Sequence, residues 1–315
     1  MKSIVRKYPV ITFFTLAVLI SWAGWIPYAA SKAGLLRLNI PSEIIWLAEF
    51  GPSLSAIIIT ALIYGKTNTI SLLKRLLIWK TSIKWYFFAI VVTPIFILAS
   101  IGIDILFLNT TYDFSLLSQW DTNFINRTKA FTPSMGLITQ LVSFMHTGTF
   151  ATGLVFLVLA LTNGGLSEEI GWRGFALNKF QNKPYNFLVS SLFVALLWAF
   201  WHTGTLFWQT VFTSTFSEGI SFAAVYLFQY LLLVIPLSVL YSFLYNATNG
   251  SILLSIILHA SYNISISVFA TALPNFPMII LVILLWIFAI LLTIILWKKS
   301  KYNKTYPNET NEVSS

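Results

Sequence analysis

Glu168, Glu169 and Arg173, then Trp198 and His202, then His259 and Asn263 form three polar groups inside an otherwise apolar chain. The sequence is 57% hydrophobic and only 9% charged, so an ionisable residue in an apolar run carries an insertion cost that calls for a reason. Two carboxylates, two imidazoles and an amide can hydrolyse a carbonyl group by direct attack of water. One buried carboxylate takes a proton from the water, a histidine helps to hold it, and His or Asn N–H groups receive the oxyanion. In these terms Glu168 is the candidate base, His202 its partner on the water, and His259 and Asn263 the oxyanion donors. Trp198, four residues before His202, is placed to pack on the imidazole.

Residues four apart share a helix face. Glu169 and Arg173 stand at that spacing, acid before base, and so do His259 and Asn263. Glu168 lies about 100° around the helix from Glu169, which divides the pair into a carboxylate for Arg173 and a carboxylate for chemistry. Each group also has a plainer reading on its own. The first would be a solvated helix end, His202 a hydrogen-bonded packing residue, and His259 with Asn263 the polar glue between spans.

What is missing narrows the chemistry. There is no Cys, hence no disulfide, thiol nucleophile or cysteine metal site. Gly-x-Ser-Gly, paired intramembrane aspartates and His-Glu-x-x-His are absent, which disfavours the serine, aspartyl and common zinc intramembrane protease types. The expectation is a site without a cofactor. A zinc alternative stays open, with Glu168, His202 and His259 as a two-histidine, one-carboxylate set, although no short-range ligand pair anchors it.

These residues must be positioned by membrane-spanning elements. A mean hydropathy of +0.80 and apolar runs of about 20 residues predict an all-α, polytopic transmembrane bundle of about eight spans. The runs fall near 9–31, 43–65, 84–108, 150–181, 186–206, 220–245, 251–271 and 277–297, with 131–149 either a short extra span or an interfacial helix. The first run is long and lacks a convincing cleavage site, so it reads as a retained span. Residues 1–300 form one integral-membrane domain with a motif-bearing core at 150–270, and 301–315 a short polar, disordered cytoplasmic tail.

The net charge of +9 reflects topology rather than nucleic-acid binding. With a cytoplasmic N-terminus, the inner segments hold Lys2, Arg6, Lys7, Lys66, Lys74, Arg75, Lys80, Lys84, Arg173, Lys179, Lys183, Lys298, Lys299, Lys301 and Lys304. Only Lys32, Arg37, Arg127 and Lys129 fall outside. Both termini are therefore expected in the cytoplasm. Between spans 2 and 3, Ile70, Leu73, Leu77 and Trp79 alternate with Lys74, Arg75, Lys80 and Lys84, as in an amphipathic helix on the inner leaflet whose partners are membrane lipids.

An antiparallel hairpin turning at Lys183-Pro184-Tyr185 sets the level of the site. Glu168 and His202 are each 17 residues from Tyr185, so both emerge roughly 25 Å along their helices from the turn. With His259 and Asn263 the sequence predicts one cavity, opening towards the cytoplasm.

Glu-Glu-x-x-x-Arg at Glu168, Glu169 and Arg173, aromatic-x-x-x-His at Trp198 and His202, and His-x-x-x-Asn at His259 and Asn263 resemble the CPBP family of CAAX prenyl endopeptidases and bacteriocin-processing or Abi-type membrane proteins. The resemblance covers roughly residues 150–270. Outside it, Glu49-Phe50-Gly51-Pro52 looks like a recurring second-helix feature. It implies a glutamate-dependent intramembrane endopeptidase with Glu168 and His202 activating water, His259 and Asn263 serving the oxyanion, and Glu169 and Arg173 in support. Where the family usually has Phe, this chain has Trp198. Eukaryotic members act on prenylated proteins, and bacterial relatives are thought to process peptides or to protect against the producer's own bacteriocin. Heavy use of Ile, Asn and Lys favours a bacterial plasma-membrane protein.

Two other classes compete with a peptide or membrane-protein hydrolase. One is a non-catalytic immunity or scaffold protein of the same fold, and the other a proton-coupled transporter, for which no inverted repeat is visible. His146, Asp104 and Glu49 read as packing, interface or helix-pair residues.

Overall fold

The computed structural model describes residues 2–41, 43–119, 157–158, 160–181 and 186–305. Among these the regular elements are all helical: α1 (Lys2–Lys7), α2 (Pro9–Lys32), α3 (Glu43–Ala48), α4 (Gly51–Lys74), α5 (Ile83–Leu108), α6 (residues 161–181), α7 (Phe187–Thr213), α8 (Phe216–Ala247), α9 (Ile252–Ala272) and α10 (Met278–Thr305). Seven of them, α2, α4, α5 and α7 to α10, are long and apolar enough to cross a membrane. The chain is an all-α polytopic bundle, as its hydropathy requires. The stretch 131–149, His146 and the turn at 183–185 lie outside the described residues.

The second expected span is not one helix. It breaks at Glu49 and Phe50, because Gly51-Pro52 starts a new helix with proline in its first turn, where the missing N–H costs nothing. It breaks again at Gly65, whose φ of 78° and ψ of 177° turn residues 66–74 away from the spanning part. The turned segment covers only the first part of the predicted amphipathic helix: a short 3-10 turn follows at Arg75–Leu77, residues 78–82 are not helical, and Lys84 belongs to α5. At the other end of the chain α10 runs to Thr305, so the expected tail begins as helix, and 306–315 lie outside the described residues.

The described part of the fourth span, α6, departs from α-helical geometry. Wide π-type turns at Leu161–Leu166 and Ile170–Leu177 flank Ser167–Glu169, and Asn163 and Gly164 leave helical geometry altogether. Side chains satisfy the backbone groups this frees: Gly164 N–H donates to Ser167 Oγ at 2.8 Å, and Leu166 C=O accepts from Ser53 Oγ at 2.7 Å. The second bond docks α6 on α4. Gly171 lets the two helices touch, since a Cβ there would stand 2.6 Å from the Pro52 carbonyl oxygen.

Around this pair, α7 packs on α8 and α2, α9 on α5 and α6, and α10 on α8 and α5. Small hydroxyl residues join the helices, as expected where lipid offers no hydrophobic drive. Ser21 Oγ donates to Ala48 O at 2.7 Å and accepts from Trp201 Nε1 at 2.9 Å, while Ser55 Oγ donates to Phe13 O at 2.6 Å. Phe13, Trp172, Trp201 and Tyr241 fill the centre.

Candidate active site

Glu168 and Trp172 share a face of α6, and Trp198 approaches from α7. The Glu168 carboxylate accepts two indole hydrogen bonds on Oε2, from Trp172 Nε1 at 3.0 Å and from Trp198 Nε1 at 2.6 Å. Its other oxygen, Oε1, is 3.9 Å from His202 Nε2. His202 Nδ1 lies 3.1 Å from the Trp198 carbonyl oxygen. A carbonyl only accepts, so Nδ1 carries the proton and Nε2 presents a lone pair towards Glu168. The hairpin count is thereby met, and Glu168 and His202 face each other across the helix pair.

Glu169 points the other way and is fully buried. Its Oε1 accepts from Arg173 Nη1 at 3.0 Å, the predicted four-residue pair, and lies 2.8 Å from His259 Nδ1. Sequence spacing gives only the first of these contacts, because the second joins α6 to α9 across 90 residues. Arg173 is also fully buried, its guanidinium 4.6 Å from the centre of the Trp198 ring and 4.3 Å from that of Tyr241. Arg173 Nε and Nη2 have no hydrogen-bond partner among the described residues, and the two aromatic faces partly offset this by cation–π attraction.

His259 Nδ1 is turned to Glu169, which leaves Nε2 for the cavity. Asn263 Nδ2 converges on the same place: a Cβ on Gly164 would stand 2.6 Å from Asn263 Nδ2 and 2.8 Å from His259 Nε2. Gly164 has φ +79°, so the bend in α6 and the closeness of these two side chains both require glycine there.

Glu168, Trp198, His202, His259 and Asn263 all line one cavity of about 390 Å³. Glu169 and Arg173 stand behind the wall. The lining adds residues that sequence reasoning does not single out, Trp25, Trp46, Tyr230 and Tyr262, and Glu49 faces the same space. An acid two residues before a Gly-Pro helix start is the signal that could have found it. Asp104 behaves as expected, accepting from the Tyr112 hydroxyl.

Trp25, Trp46, Glu49, Asn163 and Ser267 line the cavity at the helix ends remote from the Lys- and Arg-rich ends. On the basic side Trp172, Arg173, Phe175, Leu177 and Tyr241 are buried and form a floor. Among the described residues no group of three His, Asp or Glu side chains is gathered as a ready-made metal site.

The fold and cavity define a multi-pass helical membrane protein with a buried glutamate–histidine site. Residues 148–265 match the family model described as type II CAAX prenyl endopeptidase Rce1-like. A curated relative, CAAX prenyl protease 2 of Methanococcus maripaludis, is 26% identical over 118 residues, which is 37% of this chain and 42% of the relative. The alignment thus spans about two fifths of that relative's length. By these matches the motif-bearing stretch of the chain is similar to CAAX prenyl endopeptidases.

Proposed function

We propose that the chain is an intramembrane endopeptidase that hydrolyses a peptide bond with water activated by Glu168 and His202. One observation carries the reading: Glu168 Oε1 and His202 Nε2 stand 3.9 Å apart at the wall of the cavity, and each has acceptor capacity to spare. A water about 2.8 Å from both would subtend an angle of about 90°, so it can donate one proton to each. As its oxygen bonds to the carbonyl carbon, Glu168 takes a proton and the C=O electrons move onto oxygen. Asn263 Nδ2–H and a protonated His259 Nε2 donate to that oxyanion, with Glu169 countering the imidazolium charge. Collapse breaks the C–N bond, Glu168 returns its proton to the leaving amine, and an acid and an amine result.

The family match supports hydrolysis, and the cavity supports a side. With the basic helix ends in the cytoplasm, the mouth lies towards the opposite leaflet, which favours a peptide or membrane-associated protein segment presented from the non-cytoplasmic side. Comparative peptidomics of cells carrying the parent or the Glu168→Ala protein tests the activity and finds the substrate together. Peptides should accumulate or disappear only with the variant. Cleavage of such a substrate at the parent rate by folded, purified Glu168→Ala and His202→Ala proteins would show the reading wrong and leave a scaffold or immunity role.

A further inference from the structure

A second cavity lies at the basic face, separate from the first and sharing none of its lining residues. It encloses about 220 Å³ between α4 and α6. The turn at Gly65 creates it: residues 66–74, redirected by the positive φ, bring Asn68, Ser71 and Arg75 opposite Asn178 and Lys179 of α6. Among the described residues, no carboxylate lines this space. Lys179 Nζ lies 3.8 Å from the centre of the Tyr64 ring and 5.7 Å from that of Phe175, so aromatic faces hold the ammonium in place.

The floor is fixed in advance. Tyr245 of α8 accepts hydrogen bonds from Arg75 Nη1 and, at 3.5 Å, from Asn178 Nδ2. Thr60 also lines the cavity, and its buried hydroxyl has no hydrogen-bond partner among the described residues. Arg75 and Lys179 both line the cavity. Next to the cavity Leu77, Trp79 and Ile83 are largely exposed, which puts this rim in contact with lipid at headgroup depth.

We propose that this cavity binds a phosphate group, supplied by the headgroup of an anionic phospholipid at the cytoplasmic face. Arg75 supplies directional donors and Lys179 a compact charge. Occupancy ties the surface segment 66–74 to α6, the helix that carries Glu168.

The test follows thermal unfolding of the full-length protein in a neutral detergent by tryptophan fluorescence. Dihexanoyl phosphatidylglycerol is titrated in one arm, and sodium phosphate in the other at constant ionic strength. The lipid should raise the midpoint saturably. Lys179→Gln should weaken the response about tenfold or more, as for a lost charge-assisted hydrogen bond, and Lys66→Gln, on the same face but outside the cavity, should leave it unchanged. An equal, Lys179-dependent response to inorganic phosphate keeps the site and reassigns its ligand to free phosphate. Absence of a saturable response in both arms, a response that Lys179→Gln leaves intact, or equal loss in Lys66→Gln overturns the proposal.

Discussion

Trp198 donates its indole N–H to Glu168 at 2.6 Å, and through its backbone carbonyl it also sets the tautomer of His202. One residue therefore holds both members of the proposed water-activating pair. The family pattern has Phe at this position, which could give the carbonyl and the ring but not the hydrogen bond.

Trp198→Phe separates these contributions. The ring is retained, but one Glu168 oxygen loses a charge-assisted partner and keeps only Trp172. Activity should fall about ten- to a hundredfold, the equivalent of such a bond, with little change in the thermal midpoint. Peptidase assays beside fluorescence melts check this, and unchanged activity would make the indole donor irrelevant.

Glu169→Gln should act mainly on stability. It leaves the fully buried Arg173 without a counter-charge, a loss of about 3–5 kcal/mol for a broken buried pair. His259 loses its orienting acceptor as well. Chemical or thermal unfolding measures the effect, and a cost below that of an exposed ion pair would contradict it.

Gly164→Ala should damage the site more than the fold. Forcing a side chain onto this backbone costs about 1–3 kcal/mol, and the added methyl displaces His259 and Asn263, which approach to 2.8 and 2.6 Å. The expected result is near-complete loss of cleavage in a protein that still purifies as a folded species.

The side of the membrane from which the cavity is reached can be read by labelling, because the native chain has no cysteine. Ser267→Cys should react with a membrane-impermeant maleimide in intact cells. Lys66→Cys should react only after permeabilisation. The reverse pattern would put the mouth in the cytoplasm.

Chelation tests the zinc alternative. Glu168 Oε2 is engaged by two indoles and His259 Nδ1 by Glu169, and no ligand cluster forms among the described residues. Activity should survive exhaustive dialysis against EDTA, with no stoichiometric zinc in the purified protein. Loss of activity that zinc restores would reinstate the metal mechanism.

The bundle itself was legible because lipid as solvent leaves few options: long apolar runs must be helices, and Lys and Arg mark their ends. The Glu169–Arg173 pair followed from helical spacing, and the meeting of Glu168 with His202 from a hairpin count. The contact of Glu169 with His259 was not legible, since it depends on how α9 docks against α6. The breaks at Glu49 and Gly65 were signalled by Gly and Pro, but hydropathy averages across them. Glu49 was missed for the same reason: its place in the cavity arises from the break that removes it from the span.

The irregular geometry of α6 also bears on how the protein is made. Glu168, Glu169 and Arg173 sit within two turns of α6, a helix otherwise rich in apolar and small residues. Each such charge costs about 2.5–3.5 kcal/mol to insert at the centre of a lone helix. The partners that offset this cost are Trp198 on α7, Tyr241 on α8 and His259 on α9, all of which are synthesised later. The segment bearing Glu168 is thus expected to complete its insertion only when the C-terminal helices that carry these partners arrive to receive it.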